Sequence, residues 1–113
     1  MKDKQVIKGS LNLIILKLLS EKEAMYGYEI CQKVRDLTNE QVQVSEAALY
    51  PALHKLEAEG ILECHYQEIE GRTRKYYSLT QKGNNVAESK IKEFLEMLKN
   101  IEKVLLFPNL KTI

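Results

Sequence analysis

The residues best suited to chemistry cluster just after Gly71. Arg72, Arg74 and Lys75 put three positive charges into four residues. Guanidinium and ammonium groups at that density bind phosphate through charge-assisted hydrogen bonds. Tyr76 and Tyr77 follow at once, aromatic surface that a merely solvated turn does not require. A second set lies upstream, in Ser45–Gly60. Leu49, Leu53 and Leu56 recur at steps of 4 and 3 and form one apolar stripe. Ser45, Glu46, Ala47, Tyr50, His54 and Lys55 fall largely off it. That side offers hydroxyl, carboxylate, methyl, imidazole and ammonium groups, the kinds that touch base edges and phosphates. The same pattern also describes an amphipathic core helix with a solvated outer face.

Catalytic and metal chemistry find little support. No GxSxG, HExxH, P-loop or GxGxxG pattern occurs. Cys31 and Cys64 form no CxxC, and His54 and His65 are the only histidines, so neither a disulfide scaffold nor a zinc cage is expected. Cys64 and His65 are neighbours on a strand-like run and point to opposite faces. The expectation is a non-enzymatic protein without cofactor or metal. A thiol sensor acting through Cys31 or Cys64 is a lesser alternative.

Charge refines this reading. The net charge is +1. Residues 1–80 carry 11 Lys and Arg against 12 Asp and Glu, so any nucleic-acid contact must come from a local patch. The hairpin basics supply one. The apolar run Leu11–Leu19 is interrupted by Asn12 and Lys17 and is far shorter than the roughly 20 residues a membrane span needs. No membrane segment or leader is expected, and free thiols suit a reducing cytoplasm.

The elements that must hold these residues follow from periodicity. Helix 1 is predicted over about Lys4–Leu19. Ile7, Leu11, Ile14 and Leu18 make one stripe, and Leu13, Ile15, Leu16 and Leu19 a second, so the helix needs cover on two sides. A second chain is the expected second cover. Ser20–Met25 reads as a polar connection. Helix 2 opens at Tyr26-Gly27-Tyr28 and runs to about Thr38, with Ile30, Val34 and Leu37 inward. The Ser45 helix comes next, capped by Ser45 and ended by Gly60. Ile61–Ile69 and Arg74–Thr80 alternate like strands around a Glu70-Gly71-Arg72-Thr73 turn. A last helix runs from Thr80 or Gln81 to about Leu106. In it Ala87, Ile91, Phe94, Leu98, Ile101 and Leu105 form a heptad seam with no partner in the chain. The predicted fold is mainly α with a small β-hairpin: a winged helix-turn-helix domain over 1–80, a dimerisation helix over 81–107 and a tail over 108–113. Ile7 and Leu11 join the seam residues as expected dimer contacts.

Several stretches in order now become specific. They are Gly9-Ser10-Leu11-Asn12-Leu13-Ile14-Ile15-Leu16, Tyr26-Gly27-Tyr28-Glu29-Ile30, Ala48 through Gly60, Gly71-Arg72-Thr73-Arg74-Lys75-Tyr76-Tyr77 and Leu79-Thr80-Gln81-Lys82-Gly83. Together they resemble the PadR family of bacterial transcriptional regulators, in its subgroup with one short C-terminal helix. Thr73 stands where the family usually has a middle arginine, and Met25 where a histidine often precedes Gly-Tyr-Glu.

The resemblance implies a homodimeric repressor on a palindromic operator of double-stranded DNA, released by a small ligand or stress signal, in the cytoplasm at the nucleoid. In a helix-turn-helix the second helix enters the major groove N-terminus first. Ser45 then either reads DNA or only caps. Glu46 either accepts from a cytosine amine or complements the helix dipole. Ala47 can meet a thymine methyl. Tyr50 either reaches a phosphate or packs on helix 2. His54 and Lys55 can contact phosphates, Tyr26 and Tyr28 can add backbone contacts with one of the two in the core, and Arg72, Arg74 and Lys75 form the wing. Leu13, Ile14, Phe94, Met97 and Leu98 are candidate walls of a pocket for a small hydrophobic or aromatic effector, the alternative being a closed seam. A winged-helix module for protein interaction without DNA contact is the main rival.

Overall fold

The computed structural model of the chain describes residues 4–108, with side chains from Gly9 onward. Helix α1 (Lys4–Glu21) leads to a two-residue strand β1 (Met25–Tyr26). Then come α2 (Gly27–Leu37), α3 (Glu46–Ala58), β2 (Leu62–Ile69), β3 (Arg72–Leu79) and α4 (Gln81–Leu105). The three strands are antiparallel in the order β1-β3-β2. Among the described residues no helix is long and apolar enough to cross a membrane.

The core forms around α1, which meets α2, α3, β3 and α4. Leu11, Ile15, Leu16, Leu18 and Leu19 are buried there against Ile30, Val34, Leu49, Leu53, Leu56, Leu62 and Tyr77. Each such leucine contributes about 2 kcal/mol of burial. The chain itself thus supplies much of the second cover that α1 was expected to need from a partner. Leu11 is only 6% exposed and has almost no surface left for a subunit contact, which corrects its assignment to the dimer interface. The Ile7 side chain, expected beside it, lies outside the described residues, as does the tail from Asn109.

Local chemistry sets the ends of α3. Ser45 Oγ accepts the Ala48 N–H at 3.2 Å, so Ser45 is the cap. At the other end Gly60 takes a φ of 77°. Its N–H donates to Glu57 O and that of Ile61 to Leu56 O, the paired bonds of a Schellman ending. Pro51 lies inside the helix without ending it. Leu37, expected inward, is exposed at the end of α2. The following turn is held by Thr38, whose Oγ1 donates to Val34 O and accepts from Val42 N.

Two differences from the sequence reading concern the sheet. Met25, expected to end the polar connection, and Tyr26, expected to open helix 2, instead form a strand, pairing Met25 with Tyr77 and Tyr26 with Tyr76. The hairpin turn is only Glu70-Gly71, with φ of 51° and 78°. Positive φ at both positions is the tight turn whose twist matches the strands. Arg72 and Thr73 therefore belong to β3, paired with Ile69 and Glu68.

α4 starts against the end of α3. Thr80 caps it, accepting from Gly83 N at 2.9 Å while donating to Gly60 O at 2.6 Å. Lys82 Nζ donates to Glu59 O. The first turns of α4 pack at home, where Ala87 is buried and Ile91 leans on the core. Ala87 thus belongs to the chain's own core and not to the expected dimer face. Beyond Phe94 the helix leaves the domain. The radius of gyration is 16.6 Å, against about 13 Å for a compact chain of this length.

Candidate nucleic-acid interface

The outer face of α3 carries Glu46, Ala47, Ala48, Pro51, His54, Lys55 and Ala58, all exposed. Leu49, Leu53 and Leu56 anchor the opposite face. The exposed side is small and mostly apolar, suited to thymine methyls and to close approach. Ala48 and Pro51 were not among the expected contacts. Their place on the face follows from the same periodicity that picked out the leucines. Ser45 is exposed at the helix start, and its hydroxyl hydrogen remains able to donate while its oxygen caps. Glu46 sits in the first turn, where a carboxylate also complements the helix dipole.

Tyr50 is half-buried, and its ring lies over Gly27 at the start of α2. A Cβ added at Gly27 would meet the Tyr50 hydroxyl at 2.5 Å. Of the two roles open to Tyr50, the structure displays the packing one. Burial, with Glu46 close by, pushes its phenol above the usual tyrosine range, so the hydroxyl stays protonated.

The hairpin basics divide between two faces, because successive strand residues alternate. Arg72 and Arg74 share one face with Tyr76. The Arg74 guanidinium lies 4.5 Å from the Tyr26 ring centroid. Tyr26 meets Tyr76 edge-on at 5.3 Å, and Tyr76 stacks on His65 at 5.5 Å. Tyr28 continues the row beside Tyr26 and is exposed; neither tyrosine is in the core. This row ties the hairpin to the start of α2. His65 and Tyr76 were missed as its members, although the i, i+2 spacing of Arg74 and Tyr76 signals their shared face.

Lys75 takes the other face, and its assignment as a free wing contact is corrected. Its Nζ pairs with Glu57 of α3 at 3.5 Å and lies 5.1 Å from the Tyr77 ring centroid. Beside the Tyr77 side chain and near Glu57, its ammonium is held above the usual lysine range. Glu57 was not singled out in the sequence, because its partner comes from strand register that no local pattern reveals.

Two apolar grooves flank α1. One, of about 300 Å³, is lined by Leu13, Ile14, Val34, Leu37, Ile91 and Phe94 among others. The second, of about 380 Å³, includes Leu13, Leu16, Phe94 and Met97. Four of the five expected effector-pocket residues line one or both grooves. Leu98 lines neither and is exposed further along α4, because it lies past the point where that helix leaves the domain. Among the described residues no group of three His, Cys, Asp or Glu is placed to hold a metal.

Comparison with known proteins agrees with this arrangement. The family described as "Transcriptional regulator PadR-like family" matches residues 15–89. An uncharacterized protein of Lysinibacillus sphaericus is 38% identical over 98 residues, spanning 86% of this chain and 89% of that one. A transcriptional regulator of Mycobacterium tuberculosis is 33% identical over 76 residues, 67% of each. Among solved structures, a transcriptional regulator from Clostridium thermocellum superposes with a TM-score of 0.79 at 35% identity. That match covers 91% of this chain and 97% of the other. A PadR family transcription regulator from Clostridium difficile matches with a TM-score of 0.73 at 30% identity, covering 85% and 98%.

Proposed function

This chain belongs to the PadR-like family of transcriptional regulators, and from that premise we propose that it is a ligand-responsive repressor that binds a palindromic operator as a homodimer. The family consists of regulators rather than enzymes, and DNA is the partner it implies. The observation that carries the reading is the exposed face of α3 together with the basic Arg72 and Arg74 of the hairpin whose strand β2 packs against that helix. In this division of labour residues 1–80 contact DNA, 81–107 join the subunits, and the protein works in the cytoplasm at the nucleoid. Ser45, Glu46, Ala47 and His54 face base edges or nearby phosphates. Lys55, Tyr26, Tyr28, Arg72 and Arg74 serve the backbone, while Tyr50 packs on Gly27 and steadies the two helices. The rival, a protein-interaction module without DNA contact, is disfavoured by the family.

Selection of bound sequences from a random DNA pool tests this. The expected result is an inverted repeat with half-site centres about 10 base pairs, or a multiple, apart. Failure of the folded protein to enrich any sequence would sink the proposal.

In this reading Arg74, whose guanidinium lies over Tyr26 on the wing face, contacts a phosphate. Arg74→Ala weakens binding to operator and random DNA alike and lowers the salt slope by about 1. Fluorescence anisotropy at several salt concentrations measures it. A changed base preference with an unchanged salt slope would show that Arg74 reads bases instead.

The groove of Leu13, Ile14 and Phe94 supports an apolar, planar effector. A planar dye that binds the wild type loses about tenfold in affinity for Phe94→Ala, since that ring forms one wall. Calorimetric titration decides, and equal affinity for both proteins removes Phe94 from the site.

A further inference from the structure

Glu57 lies off the fully exposed face of α3. It stands on the side of α3 turned toward the hairpin, and both of its carboxylate oxygens are engaged there. Oε2 accepts the Cys64 thiol at 3.2 Å. Oε1 faces Lys75 Nζ at 3.5 Å. Cys64 is on β2 and Lys75 on β3, so one carboxylate from the helix holds both strands of the hairpin. Lys75 also lies over Tyr66 and Tyr77, and Cys64 is paired across the ladder with Tyr77. Tyr77 is fully buried, and its hydroxyl has no hydrogen-bond partner among the described residues.

Protonation states are consistent with a standing connection. The thiol, with help from Lys75, holds Glu57 below the usual carboxylate range. The Glu57 hydrogen bond, together with burial, keeps the Cys64 thiol above its usual range and therefore a neutral donor. Cys64 is thus suited to donating a hydrogen bond at neutral pH, and poorly suited to reacting as a thiolate.

The opposite face of the same hairpin carries Arg72 and Arg74. Their placement relative to α3 is set by whatever holds the hairpin to the helix. We propose that Glu57 is a positioning residue for DNA binding, latching the wing to the recognition helix through Cys64 and Lys75 so that α3 and the two arginines meet the duplex at one fixed separation. This rests on the reading of α3 and β3 as the DNA-contacting elements.

The test uses the full chain and the operator recovered by selection. Glu57→Ala removes a negative charge, so simple electrostatics predicts tighter binding to any DNA. The latch predicts the reverse for operator: affinity falls about fivefold. Random-DNA affinity holds or rises. Hydroxyl-radical footprinting separates the latch from general structural damage. The latch predicts lost protection only at the flanking positions covered by the wing, with the positions covered by α3 still protected. Cys64→Ser keeps a hydroxyl donor and binds like wild type, while Cys64→Ala loses about twofold. Should Glu57→Ala prove too unstable, Glu57→Gln keeps one acceptor oxygen, replaces the other with an amide donor and removes the charge, and shows a smaller loss of the same pattern.

Operator affinity in the Glu57 variants equal to or above wild type overturns the latch. So does joint loss of wing and α3 protections. A wild-type protein that selects no sequence fails the DNA-binding reading itself, an outcome distinct from both.

Discussion

Leu98→Asp combined with Ile101→Asp turns the protein into a monomer and lowers operator affinity by 100-fold or more, on the order expected when two linked half-sites become one. The argument starts from where α4 goes. Ala87 and Ile91 are used at home and Phe94 lines the grooves beside α1, but Leu95, Met97, Leu98, Ile101, Val104 and Leu105 are exposed. Their spread around the helix is wider than a two-helix seam, so the proposed partner subunit would cover them with more than one element. Leu98 and Ile101 are 45% and 44% exposed, so each would gain about 1 kcal/mol more from burial at the contact; a symmetric dimer carries both twice and loses about 4 kcal/mol, a thousandfold in dimer dissociation constant. Aspartate adds the cost of desolvating its charge at every one of these places. Because both positions lie outside the folded core, the melting of the winged domain is little changed. Sedimentation velocity reads the mass directly. A monomeric wild type, or a double variant still dimeric at the same concentration, excludes this face as the subunit contact.

Gly83→Ala produces the second large effect, and its sign opposes helix propensity. Alanine within a helix is worth about 1 kcal/mol over glycine, so an ordinary exposed helix site would gain stability. Gly83 is buried in the first turn of α4. A Cβ there collides with the Ile61 carbonyl and comes within 3.1 Å of Leu79 Cδ2. The carbonyl cannot easily yield, since it accepts the Thr80 N–H at 3.1 Å and the Thr80 hydroxyl at 3.2 Å. Relief requires α4 to move off the domain, at a net cost of about 2 kcal/mol and about 10 °C in melting temperature. Asn84→Ala, one residue on and exposed, is the control and shifts stability by less than about 0.5 kcal/mol. Thermal melts followed by circular dichroism compare the two. A more stable Gly83→Ala protein means that the junction relaxes without loss.

The helices were readable because each depends on contacts a few residues apart. Leu49, Leu53 and Leu56 named the buried side of α3, while Ser45 and Gly60 named its ends, without any knowledge of what packs against it. Strand β1 escaped, since two residues carry no period and Met25–Tyr26 becomes a strand only by pairing with Tyr76 and Tyr77. The split of Arg74 from Lys75 was implicit in strand alternation, but only after the turn is placed at Glu70-Gly71. Glu57 escaped for a deeper reason: its partners are seven residues away in Cys64 and eighteen in Lys75. The heptad seam of α4 was legible as a pattern and misleading as an assignment. Ala87 and Ile91 obey the same spacing as Leu98 and Ile101, yet the first pair serves the core and the second does not.

The joint at Thr80 has a mechanical consequence. One hydroxyl ties the first turn of α4 to the Gly60 carbonyl just past the end of α3, a short link between the helix proposed to join subunits and the helix proposed to read DNA. Twenty-five residues of α4 make a lever of about 37 Å. A tilt of about 10° between two such levers moves their far ends by about 6 Å, against a half-site separation of about 34 Å. A small wedge between the subunits would therefore be transmitted as a change of pitch between the recognition helices. An effector of the proposed kind, seated between the subunits, would then act by geometry alone, with no part of the winged domain unfolding.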